Sequence, residues 1–578
     1  MSSNTPAENT DAGHKDGREV EWQLACTDLG QVRRWLADHG TIDGLVLEPR
    51  STLRILDTYL DTDDWRIRRA GFALRIRSGS GRPEATLKSL HSAGTEAADR
   101  REISEPLEDS ERDSIQHLRG PVGTRVHALR GARALLPLFE VHTSRQRFAV
   151  RKEDEVQQLG EIALDQTVIS HPDGEPRTSM QRVEVEALTE SHEQLRSLVK
   201  TLRSDCALEA APDTKYSRGL ETVGLAPAAP DLARTEVDAS MTVAEVAFVN
   251  LRRYLSAWHL HEPGARLGED PAELHNLRVA GRRMDAILRE FEPYLPAPLL
   301  RVRPTLKTVL RALGHARDLD VALIELEAFS RGLPESERES VEPLKRHLVS
   351  ERGRVRARMI RVLDSVGVQR RLQKLPTLLA SPSAVSQDST SERALRAAPG
   401  LLRRRYRKLR KGAKRLTRSS STEAYHEVRG RVKKLRYALE AVAGIYGKPA
   451  DAMVRTLRRW QDALGAQQDA AVASGRLKAL ASAPPKGIPP ETMFLMGRLA
   501  EHHASAALRA RKLSAGGFRK VRRRWKKLRN RFDEPPESDA RKNEAPKIEA
   551  LKTETPNSES PKIDAPTTEP PTLSDSRT

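Results

Sequence analysis

The segment His275-Asn-Leu-Arg278-Val-Ala-Gly-Arg282-Arg283 returns as His426-Glu-Val-Arg429-Gly-Arg-Val-Lys433-Lys434. Farther on, Leu313-Gly-His-Ala-Arg-Asp318-Leu-Asp-Val-Ala returns as Leu464-Gly-Ala-Gln-Gln-Asp469-Ala-Ala-Val-Ala. Both motifs recur after the same 151 positions, and two separate motifs sharing one offset mark a duplicated unit. The surrounding chain, from about Thr242 to Phe532, carries Leu, Ala and Arg at helical spacing. An all-α domain of two similar bundles is expected over residues 241–532. His275, Arg278 and Arg282 stand at i, i+3 and i+7, and His426, Arg429, Lys433 and Arg436 at i, i+3, i+7 and i+10. Each set therefore shares one face of a helix, with Arg283 and Lys434 flanking.

Charge follows the same division. Residues 241–532 hold 61 Lys and Arg against 28 Asp and Glu, a balance of +33 in a chain whose total is +19. Such a domain calls for a polyanion: nucleic acid, an anionic membrane surface or a phosphate polymer. Aromatic residues are only 4% of the chain, so base-stacking platforms are scarce and nucleic acid ranks low. A merely solvated basic face is the plain alternative. No apolar run approaches the roughly 20 residues that cross a bilayer. Two cysteines, Cys26 and Cys206, imply no disulfide framework, and the opening residues lack a signal-peptide pattern. The cytoplasm is the expected location.

Upstream, residues 18–223 read as strands, with short helices expected near Gln31–Gly40 and His192–Arg203. Alternate residues of a strand share a side. Glu19 and Glu21 therefore face together, as do Arg75 and Arg77, Thr86 and Lys88, Arg145 and Arg147, and Glu184 and Glu186. If these faces turn inward, carboxylates hold a divalent cation while Arg and Lys hold phosphate oxygens. If they turn outward, they are the wet side of an antiparallel sheet. Segments 1–17 and 533–578 are expected to be disordered, the latter rich in Pro, Glu, Lys and Thr, and 224–240 is a linker.

The helical stretches resemble the CHAD domain (conserved histidine α-helical domain). That resemblance implies polyphosphate binding through His275, Arg278, Arg282, Arg283, His426, Arg429, Lys433, Lys434 and Arg436. The N-terminal region resembles the CYTH domain, the triphosphate tunnel metalloenzyme family. It does so through Glu19-Val-Glu21-Trp-Gln23, Tyr59-Leu-Asp61-Thr62, Arg75-Ile-Arg77, Thr86-Leu-Lys88, Arg145 and Arg147, Glu161-x-x-x-Asp165, Glu184-Val-Glu186 and Lys215-x-x-Arg218. Gln23 departs from the family, which has Lys there, and an amide brings no charge.

The resemblance implies an eight-stranded antiparallel tunnel, hence an α+β multidomain chain, which hydrolyses inorganic triphosphate or related compounds with Mg²⁺ or Mn²⁺. Glu19, Glu21, Asp165, Glu184 and Glu186 would hold one or two such ions. Arg75, Arg77, Lys88, Arg145, Arg147, Lys215 and Arg218 would bind substrate. Glu19, Glu21, Gln23, Lys88 and Asp165 form the implied catalytic set. Beside this reading stands a non-catalytic protein that binds polyphosphate and targets its granules, with a degenerate tunnel. Adenylate cyclase chemistry ranks lower.

Overall fold

The computed structural model describes residues 15–79, 81–90, 97–108, 112–153, 157–188, 192–225, 236–380, 392–417 and 419–532. The expected disordered head up to residue 14, the middle of the linker and the tail from 533 lie outside the described residues.

Eight strands close the barrel of the N-terminal domain: β1 (Lys15–Cys26), β2 (Leu53–Asp61), β3 (Phe72–Ser78), β4 (Glu84–Ser89), β5 (Ala98–Pro106), β6 (Leu136–Lys152), β7 (Gln158–Ser170) and β8 (Pro176–Ala187), with three short strands, Thr41–Ile42, Leu45–Pro49 and Glu209–Ala210, added outside the ring. β1 starts slightly ahead of the expected boundary at residue 18. All neighbours are antiparallel, in the order β6-β2-β3-β4-β5-β1-β8-β7, and β7 pairs again with β6. The ring is closed, so none of these eight strands is left as a free edge.

The barrel is inside-out. Its apolar side chains point outward, where helices cover them. Trp22, Leu24, Leu164, Val183 and Val185 are buried under the helices Leu29–Asp38 and His192–Asp205. Leu74, Ile76, Leu87 and Ile103 are buried under the helix Pro121–Arg130. The alternate residues, polar and charged, are left to line the interior.

The C-terminal domain has eight main helices: α1 (Val243–Leu267), α2 (Pro271–Glu290), α3 (Arg303–Arg331), α4 (Glu342–Asp364), α5 (Ala394–Arg415), α6 (Thr422–Ala441), α7 (Lys448–Ser482) and α8 (Pro490–Ser514). The repeat spacing carries the first residue of α1 onto that of α5, and the first of α2 onto that of α6. Thr242, which caps α1, forms an isolated antiparallel bridge with Arg393, its own repeat mate. Val243 N donates to Glu392 O at 3.0 Å and Ala394 N to Met241 O at 2.9 Å. These two bonds are equivalents of each other, so a pseudo-twofold axis passes between them. One apolar core joins α1, α2, α5, α6 and the first parts of α3 and α7. A second joins the far parts of α3 and α7 to α4 and α8.

The two domains meet through ions. The short helix Arg66–Arg69 of the barrel lies against α1. Arg69 donates to His259 O at 2.7 Å and approaches Glu262 at 3.4 Å. Arg266, whose side chain is 1% exposed, pairs with Glu262 at 3.0 Å and Asp364 at 2.9 Å. Arg66, also buried, reaches Gln369 at 3.2 Å. Gly131, at φ +57°, leaves room for the Asp364 carboxylate, which a Cβ there would strike.

Removing one member of a buried ion pair strands the other. Arg266→Ala is therefore expected to lower the unfolding free energy of the full chain by about 3–5 kcal/mol, read by urea denaturation. Burial, then Arg69, pushes His259 down to about 4 from its ordinary 6.5. The unfolded chain thus binds the extra proton between those values, so stability should be full above pH 6.5 and decline as pH falls toward 4.

Candidate functional site

Strand parity places a belt of charge inside the barrel, and the register decides which charges meet. Arg77 opposes Asp57 across β3 and β2, and Arg145 opposes Asp165 across β6 and β7. Both pairs are bidentate: Arg77 to Asp57 at 2.8 and 3.0 Å, Arg145 to Asp165 at 2.8 and 2.7 Å. Around them the interior divides into two nests.

In the first nest, Lys88 Nζ stands 2.5 Å from Glu19, 3.0 Å from Glu21 and 3.6 Å from Glu102. Arg75 bridges Glu102 at 3.5 Å and Asp57 at 3.7 Å, and Arg100 approaches Glu21 at 3.7 Å. Burial, opposed by Lys88 and reinforced by Glu21 and Glu102, pushes Glu19 up to about 8. Gln23 donates to Glu21 at 2.9 Å. In the second nest, Lys215 stands 2.5 Å from Asp165 and 3.0 Å from Glu184, and Arg145 also pairs with Glu184. Burial would raise Glu184, but Lys215 and Arg145 outweigh it and hold the carboxyl well below its usual range. Arg147 pairs with Glu161 at 3.6 Å.

Beside the first nest a cavity of about 260 Å³ opens, lined by Arg68, Arg75, Lys88, Arg100, Tyr59 and Tyr216, with hydroxyls of Ser89, Thr214 and Ser217. It lies toward the strand ends that lead into the helix Arg66–Arg69.

In the helical domain, Arg278 lies over Gly314 and Arg429 over Gly465. A Cβ at Gly314 would stand 3.6 Å from Arg278 Nε, and one at Gly465 only 3.2 Å from Arg429 Nη2. The Leu-Gly motif is thus the seat of the arginine, duplicated with it. Burial, then the charge of Arg282, pushes the Arg278 guanidinium down, an environment that an added anion would relieve. Asp318 and Asp469 lie close enough for their charges to act on Arg278.

A CYTH family model matches residues 36–219, and a CHAD family model matches residues 250–478. The chain carries a CYTH domain followed by a CHAD domain. The CYTH match begins after β1, so the Glu19 and Glu21 strand lies outside it. Among solved structures, the CHAD domain from the plant Ricinus communis is 25% identical, over 48% of this chain and 93% of that one, with a TM-score of 0.41. PptA from Streptomyces chartreusis is 21% identical, over 50% of this chain and 100% of that one, at 0.37. HpAC1 from Hippeastrum, an adenylyl cyclase by name with a dominant triphosphatase activity, is 16% identical, over 35% of this chain and 95% of that one, at 0.27. No curated protein matches.

The structure rearranges the expected sites. The five carboxylates expected to hold one or two metal ions do not converge on one point. Glu19 and Glu21 face Lys88, whereas Asp165, fully buried, and Glu184 belong to the nest of Arg145 and Lys215. Glu186 lies in register between Glu21 and Glu161. Arg218 leaves the tunnel: its side chain is 43% exposed and pairs with Asp213 and Glu221, which pull it outward. Arg436 leaves the polyanion face, being buried and bonded to Glu440 at 2.9 Å and Gln461 at 3.1 Å. Arg283, 3.9 Å from Glu440 and 5.6 Å over the Tyr254 ring, faces the same acid. His426 and Lys434 are exposed, while His275, Arg278, Arg282, Arg429 and Lys433 are half-buried. Three residues went unnoticed in the sequence: Asp57, Arg100 and Glu102. Their signal was the same alternation, Asp57 with Tyr59 and Arg100 with Glu102.

The CYTH family implies a divalent cation, and the first nest offers the hard oxygen donors such an ion takes. Glu19, Glu21 and Glu102 converge on one point, but that point holds the Lys88 ammonium. Among the described residues no group of three acidic, His or Cys side chains is arranged for a metal. The residues fit the ion's chemistry once Lys88 yields the position. Lys88→Met should therefore lower the melting temperature in chelator and make it rise on adding Mg²⁺ or Mn²⁺, which differential scanning fluorimetry would detect.

Proposed function

We propose that the tunnel hydrolyses inorganic triphosphate or a related triphosphate compound with a divalent cation, and that the CHAD domain binds inorganic polyphosphate. One observation carries the first half. Arg75, Arg77, Lys88, Arg100, Arg145, Arg147 and Lys215 each have a carboxylate partner inside the barrel. When these cations turn to phosphate oxygens, their acid partners lose their counter-charge. Glu19, Glu21 and Glu102, which now share the Lys88 ammonium, would hold a divalent cation in exchange. That ion, Mg²⁺ or Mn²⁺, would neutralise phosphate charge and polarise the phosphorus to attack by water. The protein's own work is positioning and charge, which is most of what phosphoryl transfer requires.

A second reading, binding without turnover, is favoured by Gln23, which satisfies Glu21 with an amide where a charge would otherwise stand. Phosphate release from the purified chain separates the two, tested on triphosphate, ATP and long-chain polyphosphate with Mg²⁺ and with Mn²⁺. Release from none of them would reject the hydrolase reading. Where the wild type is active, Glu21→Gln should abolish metal-dependent release. Gln23→Lys, a cation opposite Glu184 in register, should tighten triphosphate binding.

For the CHAD domain, the two arginine seats related by the repeat support a phosphate chain gripped from both halves. The pair Arg278→Ala and Arg282→Ala should weaken polyphosphate binding about as much as the pair Arg429→Ala and Lys433→Ala. Both should flatten its salt dependence, since fewer counterions are released. Binding of duplex DNA as tight as that of polyphosphate, indifferent to both pairs, would show a non-specific basic face. In cells the reading places the protein in the cytoplasm at polyphosphate granules, which a fluorescent fusion would check.

A further inference from the structure

Arg68 differs from the other cations around the tunnel. It lines the cavity beside the first nest, with its guanidinium carbon 5.7 Å from the centre of the Tyr216 ring. Among the described residues no carboxylate lies within ion-pair distance of its guanidinium, whereas Arg75, Lys88 and Arg100 on the same cavity each have one. An arginine with no acid to leave is the group most ready to take an incoming phosphate.

Its backbone is firmly held, and its side chain meets the Tyr216 phenol rather than an acid. The buried Asp61 carboxylate accepts from Thr62 N at 2.7 Å, Ile67 N at 2.9 Å and Arg68 N at 2.9 Å. Thr62 Oγ1 accepts from Arg66 N at 3.0 Å. Trp65 is held at φ 58°, a left-handed conformation that a tryptophan adopts only under strain. The two other arginines of this helix, Arg66 and Arg69, point the other way. Arg66 reaches Gln369 and Arg69 reaches His259 and Glu262, all in the CHAD domain. One short helix thus presents to the tunnel a cation with no carboxylate partner among the described residues, and two partnered ones to the CHAD domain.

We propose that Arg68 is a substrate-positioning residue at the mouth, binding a phosphate of a chain that runs out of the tunnel along the CHAD domain. The substrate class is then the end of a linear polyphosphate, not triphosphate alone. This rests on the hydrolase reading above. The test is steady-state phosphate release by the full chain, as wild type, Arg68→Ala and Arg68→Lys, on triphosphate and on long-chain polyphosphate. Arg68→Ala should raise KM for the long chain by about tenfold or more, the loss of one charged hydrogen bond, with kcat little changed. KM for triphosphate should stay within about twofold, and Arg68→Lys should recover part of the long-chain loss. An equal rise for both substrates would assign Arg68 to the triphosphate site, and no change for either would show the mouth is not used. Each overturns this inference while leaving hydrolysis intact. A wild type inactive on both substrates rejects the hydrolase reading, and this inference with it.

Discussion

A charge taken out of water must find a partner, because the desolvation of each ion costs several kcal/mol that only close pairing offsets. The CYTH barrel meets that demand across its own strands. Asp57 serves Arg75 and Arg77, Asp165 serves Arg145 and Lys215, and Lys88 serves three glutamates. The pairing fixes the strand register, because a slip of one residue would turn each charge outward into the apolar layer beneath the covering helices. It also sets what the tunnel can do. An interior already neutral admits a polyanion only by exchanging partners, so binding and rearrangement of the acids are one event.

Much of this was legible in the chain. Alternation exposed Arg75 with Arg77 and Glu184 with Glu186, and the shared offset exposed the helical duplication. The barrel's closure and eight strands followed from the family resemblance and hold in the structure. Alternation tells which side a residue faces, however, and not which residue it meets around a ring. That depends on the stagger between strands, so Glu19 and Asp165 looked like parts of one ligand set when they belong to separate nests. Asp57 passed unnoticed beside an aromatic partner, and Arg100 and Glu102 because their alternation is interleaved with the equally charged Asp99 and Arg101. Helical spacing failed at Arg436 for a related reason: a face three residues wide includes its rim, and there Glu440 draws the arginine into the packing. The ionic seam between the domains joins Arg66 to Asp364 and Arg69 to the Glu262–Arg266 pair of α1, and only that i,i+4 pair is local; the other members come from elements far apart in the chain.

In the CHAD domain the small residues of the repeated motif explain the large ones. Gly314 and Gly465 leave the helix surface bare where Arg278 and Arg429 lie down on it. A long flexible side chain loses rotamer freedom when it is held for a ligand. A groove that already confines the guanidinium moves that loss from binding to folding.

The bridge between Thr242 and Arg393 has a further meaning. Each half contributes the same backbone groups to it, in the self-complementary manner of an isologous contact between identical subunits. The two halves stand to each other as the protomers of a homodimer whose chains have been joined end to end. Joining removes the need for two copies to find one another, and it frees each half to diverge. That freedom is visible where Asp285 of the first half, which accepts from Arg303, corresponds to the buried Arg436 of the second. A symmetric ancestor could keep only one solution at that position; the fused chain keeps both.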